Sequence, residues 1–134
     1  MNLDKELIHI KTRKTYPKSF ITDEEKELAI DQTGKFNEDL LPRETVGNVI
    51  LNCLALVPVE TKLDGFYSNT IAQRIFDDQR EIELKEKLKK FLTSLLERAI
   101  MQYVTKGDKT EMKGVYAGWV ISQVLEEVGE KFDE

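Results

Sequence analysis

The sequence predicts an α+β domain: a small N-terminal β element, strand or hairpin, followed by about four helices packed as an antiparallel helical bundle. Three observations predict it. Period-two alternation in "ELIHIKTRKTY" gives way after residue 43 to apolar residues recurring every three or four positions. The connections between the helical stretches are short, which makes sequence neighbours antiparallel partners. At 134 residues, 40% hydrophobic and 34% charged, the chain has the size and composition of one globular domain. Its β element and connection fall in residues 1–40 and its helical part in 43–130.

In "ELIHIKTRKTY", Ile8, Ile10 and Thr12 alternate with His9, Lys11 and Arg13, as expected of a half-buried strand that Pro17 ends. The next segment, "ITDEEKELAIDQTGKFNEDLLP", supports two readings. Thr22 and Glu25 have capping-box spacing, with acids in the first turn where the helix dipole favours them. Within residues 22–31, however, only Leu28, Ala29 and Ile30 are apolar, too few to anchor a helix. A hairpin is therefore favoured, with strands "ELAID" and "KFNED" around a turn in which Gly34 supplies the positive φ.

The first clear helix is "TVGNVILNCLALV". Thr45 is its N-cap, Val46, Val49, Ile50, Cys53, Leu54 and Val57 form its stripe, and Pro58 closes it. The second, capped by Asp64, buries Phe66, Tyr67, Ile71, Ile75 and Phe76. After an acidic joint, "DDQRE", a third helix carries the apolar face Leu84, Leu88, Phe91, Leu92, Leu95, Leu96 and Ala99. Its lysines follow acids by four residues in Glu81–Lys85, Glu83–Lys87 and Glu86–Lys90, the favourable order for helical ion pairs. A polar loop, "TKGDKTEMKG", leads to a last helix with the stripe Ala117, Val120, Ile121, Val124, Leu125 and Val128. Tyr116 and Trp119 flank that stripe, Gly118 offers a close approach to another helix, and the tail frays into acid.

Charge and cysteine usage bound the function. The net charge of −5 disfavours a dedicated nucleic-acid binder. The charge is blocky: residues 1–20 hold five Lys/Arg against two acids, residues 23–44 three against eight, and residues 84–113 eight against four. The single Cys53 has no partner for an intrachain disulfide, and "MNLDKELIHIKTRK" lacks the apolar run of a secretory signal, so a cytoplasmic location is expected. The longest apolar run, "LALVPV", is far short of a membrane span.

No catalytic, cofactor-binding or metal-ligating constellation is expected. His9 is the only histidine, and with one cysteine it cannot complete a zinc site. "TGKF" and "KGDKT" both miss the phosphate-loop pattern. The joint carboxylates Asp77, Asp78, Glu81 and Glu83 lack the alternation and central glycine of a calcium loop.

What remains is surface. Tyr116 and Trp119 are the candidate partner surface, because Trp and Tyr dominate interface hot spots. Lys11, Arg13, Lys14 and Lys18 near Tyr16, with Lys85 and Lys89 (and Lys87 and Lys90 between and after them), are the candidate basic patch. The favoured expectation is a non-enzymatic protein-interaction module that binds another protein, with a homo-oligomer as a second option, and without cofactor or membrane. The alternative is a DNA-associated regulator using the basic patches at 11–18 and 85–90.

From residue 27 onward, the order "ELAIDQTGKF", "TVGNVILNCLAL", "IAQRIFDD…IELKEKLKKFL" and "GVYAGWVISQVLEEV" resembles that of small accessory proteins of temperate phages. This chain departs from them in its basic N-terminal strand and its longer "VTKGDKTEMKG" loop. The resemblance implies a phage-encoded accessory protein with no enzymatic activity.

Overall fold

The computed structural model describes residues 1–78 and 80–129. In chain order it contains α1 (Asp23–Leu28), a 3-10 turn (Glu38–Leu40), α2 (Val46–Leu56), α3 (Lys62–Asp78), α4 (Glu86–Arg98), β1 (Gln102–Lys106), β2 (Lys109–Lys113) and α5 (Gly118–Val128). The class is α+β, but the expected position of the β element is corrected. Among the described residues the one sheet is an antiparallel β1–β2 hairpin between the fourth and fifth helices, not an N-terminal element.

Four helices build the core. α2 lies against α3, α4 and α5, while α4 packs on both α3 and α5. Thr45 caps α2 as its sequence predicts, its hydroxyl accepting from the Asn48 amide at 3.2 Å. Val46, Val49, Ile50 and Cys53 go fully under. Leu92, Leu95 and Leu96 of α4 and Ile121, Val124 and Leu125 of α5 meet them. α4 and α5 run antiparallel: Ala99 O accepts from the Val115 and Tyr116 amides at one end, and Gly129 approaches Lys89 at the other.

The predicted N-terminal strand is replaced by an extended strap. Residues 1–8 bury Leu3 and Leu7, while Ile8 and Ile10, the residues that suggested the strand's inner face, are 38% and 53% exposed. The strap borrows hydrogen bonds from several elements in turn. Leu3 N donates to Arg80 O at 2.6 Å, Val46 N to Lys5 O at 3.0 Å, and Leu7 N to Glu44 O at 2.9 Å. Gln123 clamps Ile8, its Oε1 accepting from the Ile8 amide and its Nε2 donating to the Ile8 carbonyl, both at 2.9 Å. The chain then reverses between His9 and Lys14 with Arg13 at φ 60°, leaving only isolated bridges such as Ile8 to Thr15.

In the ambiguous segment the capping box prevails over the hairpin. Thr22 and Glu25 cap each other's backbone amides, and α1 forms with no buried residue. The predicted hairpin shrinks to a single bridge, Ile30 to Phe36, around a turn in which Gly34 does take a positive φ of 79°. Asp31 Oδ1 collects the Thr33 hydroxyl and the Thr33 and Lys35 amides, so side-chain bonding organises this turn more than a ladder does.

Four further expectations are revised. α3 begins at Lys62, two residues before Asp64, whose amide donates to the Thr61 hydroxyl at 3.1 Å. Phe66 and Phe76 are 67% and 62% exposed, because each lies about 140° around the helix from the buried Ile71. The pairs Glu81–Lys85 and Glu83–Lys87 precede or straddle the start of α4 at Glu86, so helical spacing does not apply to them; residues 80–82 instead bind the N-terminal strap through Arg80 O, the Asn2–Glu81 bridge and Ile82 N. The predicted polar loop "TKGDKTEMKG" is the β1–β2 hairpin. The acid tail beyond Gly129 and residue 79 of the acidic joint lie outside the described residues.

Gly118 opens α5, and a Cβ there would make only an ordinary contact with Ile100 Cγ2 at 3.9 Å. The close approach belongs to Gly114 instead, at φ 104°, where a Cβ would run into the Ile100 carbonyl. Among the described residues, no helix is long and apolar enough to cross a membrane.

Candidate functional site

Between the strap and α2 the chain makes an excursion. Its neck is closed by the bridge of Pro17 to Arg43, by Lys18 N donating to Pro42 O at 2.8 Å, and by Glu44 N donating to Tyr16 O at 2.8 Å. Lys18 ties the neck to α1 through a 2.8 Å ion pair with Glu25. The Arg43 guanidinium holds the returning strand through the Glu38 and Leu41 carbonyls. Loops of this kind, with ends together and a body packed on itself, are compact surface units.

Beneath the neck is Glu44, 1% exposed and the one buried charged residue among those described. A carboxylate so placed must be fully hydrogen-bonded to be tolerated. Its Oε2 accepts from the Ser19 amide at 2.9 Å and the Ser19 hydroxyl at 2.6 Å, and its Oε1 from the Asn48 side-chain amide. Because the carboxylate only accepts, Ser19 must give it the hydroxyl proton. That leaves the Ser19 oxygen to accept from the Tyr116 hydroxyl, 2.7 Å away, and Tyr116 Oη in turn accepts from Asn52 Nδ2 at 2.8 Å. The result is a directed chain from Asn52 through Tyr116 and Ser19 to Glu44, linking α2, the segment before α5 and the start of the excursion.

This environment acts on neighbouring acids. Burial first, then the Glu44 charge, pushes the Cys53 thiol up to about 12. Burial and the Glu44 charge likewise raise Tyr16, whose hydroxyl is buried without a hydrogen-bond partner. Tyr116 is also raised, chiefly by burial, while its bonds to Ser19 and Asn52 pull the other way. Ser19 beside a carboxylate has the spacing of a nucleophile and its base. Here, however, its amide, its proton and a lone pair are all engaged inside the protein, so the arrangement fixes the chain: Glu44 is the latch of the excursion.

What the latch presents is apolar and acidic. Of the fifteen exposed large apolar side chains among the described residues, five are Phe20, Leu28, Ile30, Phe36 and Leu40, at 49–79% exposure, while the excursion buries only Ala29 and Leu41, both outside the core cluster of the helices. Ile30 and Phe36 oppose each other in their bridge and so share a face. Phe20, next to the latched Ser19, holds a φ of 56°, a conformation that persists only when surroundings impose it. Residues 20–41 hold seven carboxylates and two lysines, which accounts for the whole net charge of −5.

The sequence-predicted residues are distributed as follows. Tyr116 is 6% exposed, a member of the latch rather than an open surface. Trp119 is half-buried against His9, ring centroids 5.0 Å apart, and against Tyr16 at 5.5 Å. His9, expected on an exposed strand face, is instead wedged between those rings, and its Nδ1 accepts from the Lys11 and Thr12 amides, which places its proton on Nε2. Lys11, Arg13 and Lys14 are exposed on the turn that follows, while Lys18 is paired with Glu25. Lys85 and Lys89 lie at the other end: Trp119, in the first turn of α5, is near the first group, and Gly129 closes the helix beside Lys89. The two halves of the basic patch are thus separated by the length of α5, roughly 16 Å. Among the described residues, no three His, Cys, Asp or Glu side chains are grouped to hold a metal ion.

Glu44, Ser19, Asn48 and Asn52 escape sequence reasoning. Glu44 precedes a helix N-cap, where an acid reads as an ordinary complement to the dipole. Only a fold that covers it distinguishes the two roles.

No protein-family model matches this chain, and no curated protein or solved structure gives a significant match.

Proposed function

We propose that this protein is a non-enzymatic interaction module, an accessory, inhibitor or assembly factor of the kind phages encode, which offers residues 20–41 to a protein partner. The observation that carries the reading is the concentration of exposed apolar side chains and of the chain's net negative charge on one latched excursion. Scattered exposed apolar residues are ordinary, whereas a cluster rimmed by charge marks recognition. The complementary surface is basic and carries apolar pockets, since charge pairing guides encounter and apolar anchors hold the complex.

The test is capture of partners from a host lysate treated with nuclease, comparing the wild-type protein with the Ile30→Ser/Phe36→Ser double variant. These side chains are exposed, so the variant should melt within a few degrees of wild type and still lose the captured protein. Raising the salt should weaken capture by the wild type. A protein retained equally by both forms, or retention that vanishes with nuclease, would overturn the reading, the latter in favour of the DNA-associated alternative.

A further inference from the structure

The β1–β2 hairpin is unlike the rest of the molecule. Every residue of both strands is exposed except Val104, which is half-buried. A lone two-stranded sheet is marginal in water, and among the described residues no backbone hydrogen bond reaches either of its outer edges. Those edges differ. β2 carries Lys109, Glu111 and Lys113, whereas β1 carries no charge before Lys106, its last residue. Charged side chains are the usual protection of an edge, so β2 is guarded and β1 is not.

The register shows how β1 could be paired. Gly107, at φ 61°, and Asp108 form a two-residue turn that closes on the Lys106–Lys109 pair. In an antiparallel ladder hydrogen-bonded pairs alternate, so Gln102, Val104 and Lys106 direct their backbone groups to β2, and Tyr103 and Thr105 direct theirs outward. A second β1 laid antiparallel about Val104 sets Tyr103 against the second copy's Thr105 and Thr105 against its Tyr103. Four backbone hydrogen bonds then form. Val104 opposes Val104, Gln102 opposes Lys106, and no charge meets a like charge. The same full overlap of β2 on β2 would set Glu111 against Glu111 and Lys109 against Lys113, which is destabilising.

Side chains agree with this choice. Tyr103 and Met112 are cross-strand partners, 76% and 59% exposed, on one face. Pairing through β1 brings the two copies of Tyr103 to diagonal positions on that face, within reach of each other.

We propose that β1 is a self-association edge: two copies of the chain join antiparallel about Val104 into a four-stranded sheet ordered β2–β1–β1–β2. This surface is separate from the excursion at residues 20–41, so the proposal goes beyond the interaction reading and does not depend on it. Strands of five residues bury less than the roughly 1,200 Å² of a stable complex, so the dimer is weak, with a dissociation constant on the order of tens of micromolar.

Sedimentation equilibrium of the full chain over a wide concentration range is the test. The mass should rise from 15.5 kDa toward twice that value. Val104→Lys and Val104→Glu should each remain monomeric at all concentrations, because each places like charges face to face. An equimolar mixture of the two should recover the dimer. A wild type that stays at monomer mass into the millimolar range overturns the proposal. So does a dimer untouched by Val104→Lys, and so does failure of the mixture to associate. Lysate capture by Val104→Lys should match wild type, so either idea can fail while the other stands.

Discussion

At the scale of single residues, the informative position is Glu44, where one buried carboxylate replaces what an apolar core would do with a methyl contact. Its three donors come from two segments, so the carboxylate stabilises a relation between chain pieces and not merely a helix. Replacing it with alanine leaves the Ser19 amide and hydroxyl and the Asn48 amide facing a cavity, at a cost of about 3 kcal/mol. Glutamine is a different perturbation. Its carbonyl can keep both Ser19 donors while its amide faces Asn48, whose own amide can turn to present oxygen, so the loss should be about 1–2 kcal/mol. Urea denaturation of Glu44→Ala and Glu44→Gln measures both, and amide exchange at Ser19 should become fast in the alanine variant alone. Equal destabilisation by the two would mean that charge, not hydrogen bonding, holds the latch.

At the scale of elements, the hairpin is an appendage and the strap is not. No residue of β1 or β2 is buried, whereas the strap contributes Leu3 and Leu7 to the core. Excising residues 102–113 and joining Met101 to Gly114 through Asn-Gly should therefore preserve the helical circular dichroism and lower Tm by no more than about 4 °C. Collapse of the helical signal would show that the strands support α4 and α5. The same contrast explains which elements were legible in the sequence. α2, α4 and α5 were readable because their own stripes bury against one another, and Thr45 declared where α2 begins. The strap and the hairpin were not. Alternation at Ile8 and Ile10 has the right period for a strand, but among the described residues no neighbouring strand lies there to complete one, and the ring of His9 takes the inward place beside Trp119. Tyr103, Thr105, Thr110 and Met112 also alternate, yet a polar segment with no buried face resembles a loop in composition. The latch was illegible for a third reason: its members lie at positions 19, 44, 48, 52 and 116, and only tertiary structure brings them together.

At the scale of the whole molecule, the ionisable groups divide the protein into parts that should fail at opposite ends of the pH scale. On the acid side, the Lys18 ammonium, helped by Thr22, holds the Glu25 carboxyl below its ordinary range, and the Thr33 hydroxyl with the Lys35 and Thr33 amides does the same for Asp31. A depressed carboxylate stabilises the fold above its unfolded value and ceases to do so as pH falls through its folded one, so this support disappears below about pH 4. Both groups belong to the excursion and both are solvent-screened, so its loosening should be local and should leave the helical core standing. On the alkaline side the sign reverses in cause and direction. Tyr16 and Tyr116 are raised, chiefly by burial, so the fold favours their neutral forms; that contribution is complete below about pH 10 and is lost as pH climbs toward the folded values. Both hydroxyls lie beneath the neck, between strap, α2 and α5, where ionisation requires the core itself to open. In a Tyr67→Phe/Tyr103→Phe background, which leaves these two as the only tyrosines, tyrosinate absorbance should therefore rise together with the loss of helical circular dichroism. Acid titration followed by amide NMR should instead move residues 22–35 first, with the indole signal of Trp119 unchanged. Tyrosines that ionise while the helices persist would place the latch in contact with solvent and remove the basis for treating the excursion as a unit held from below.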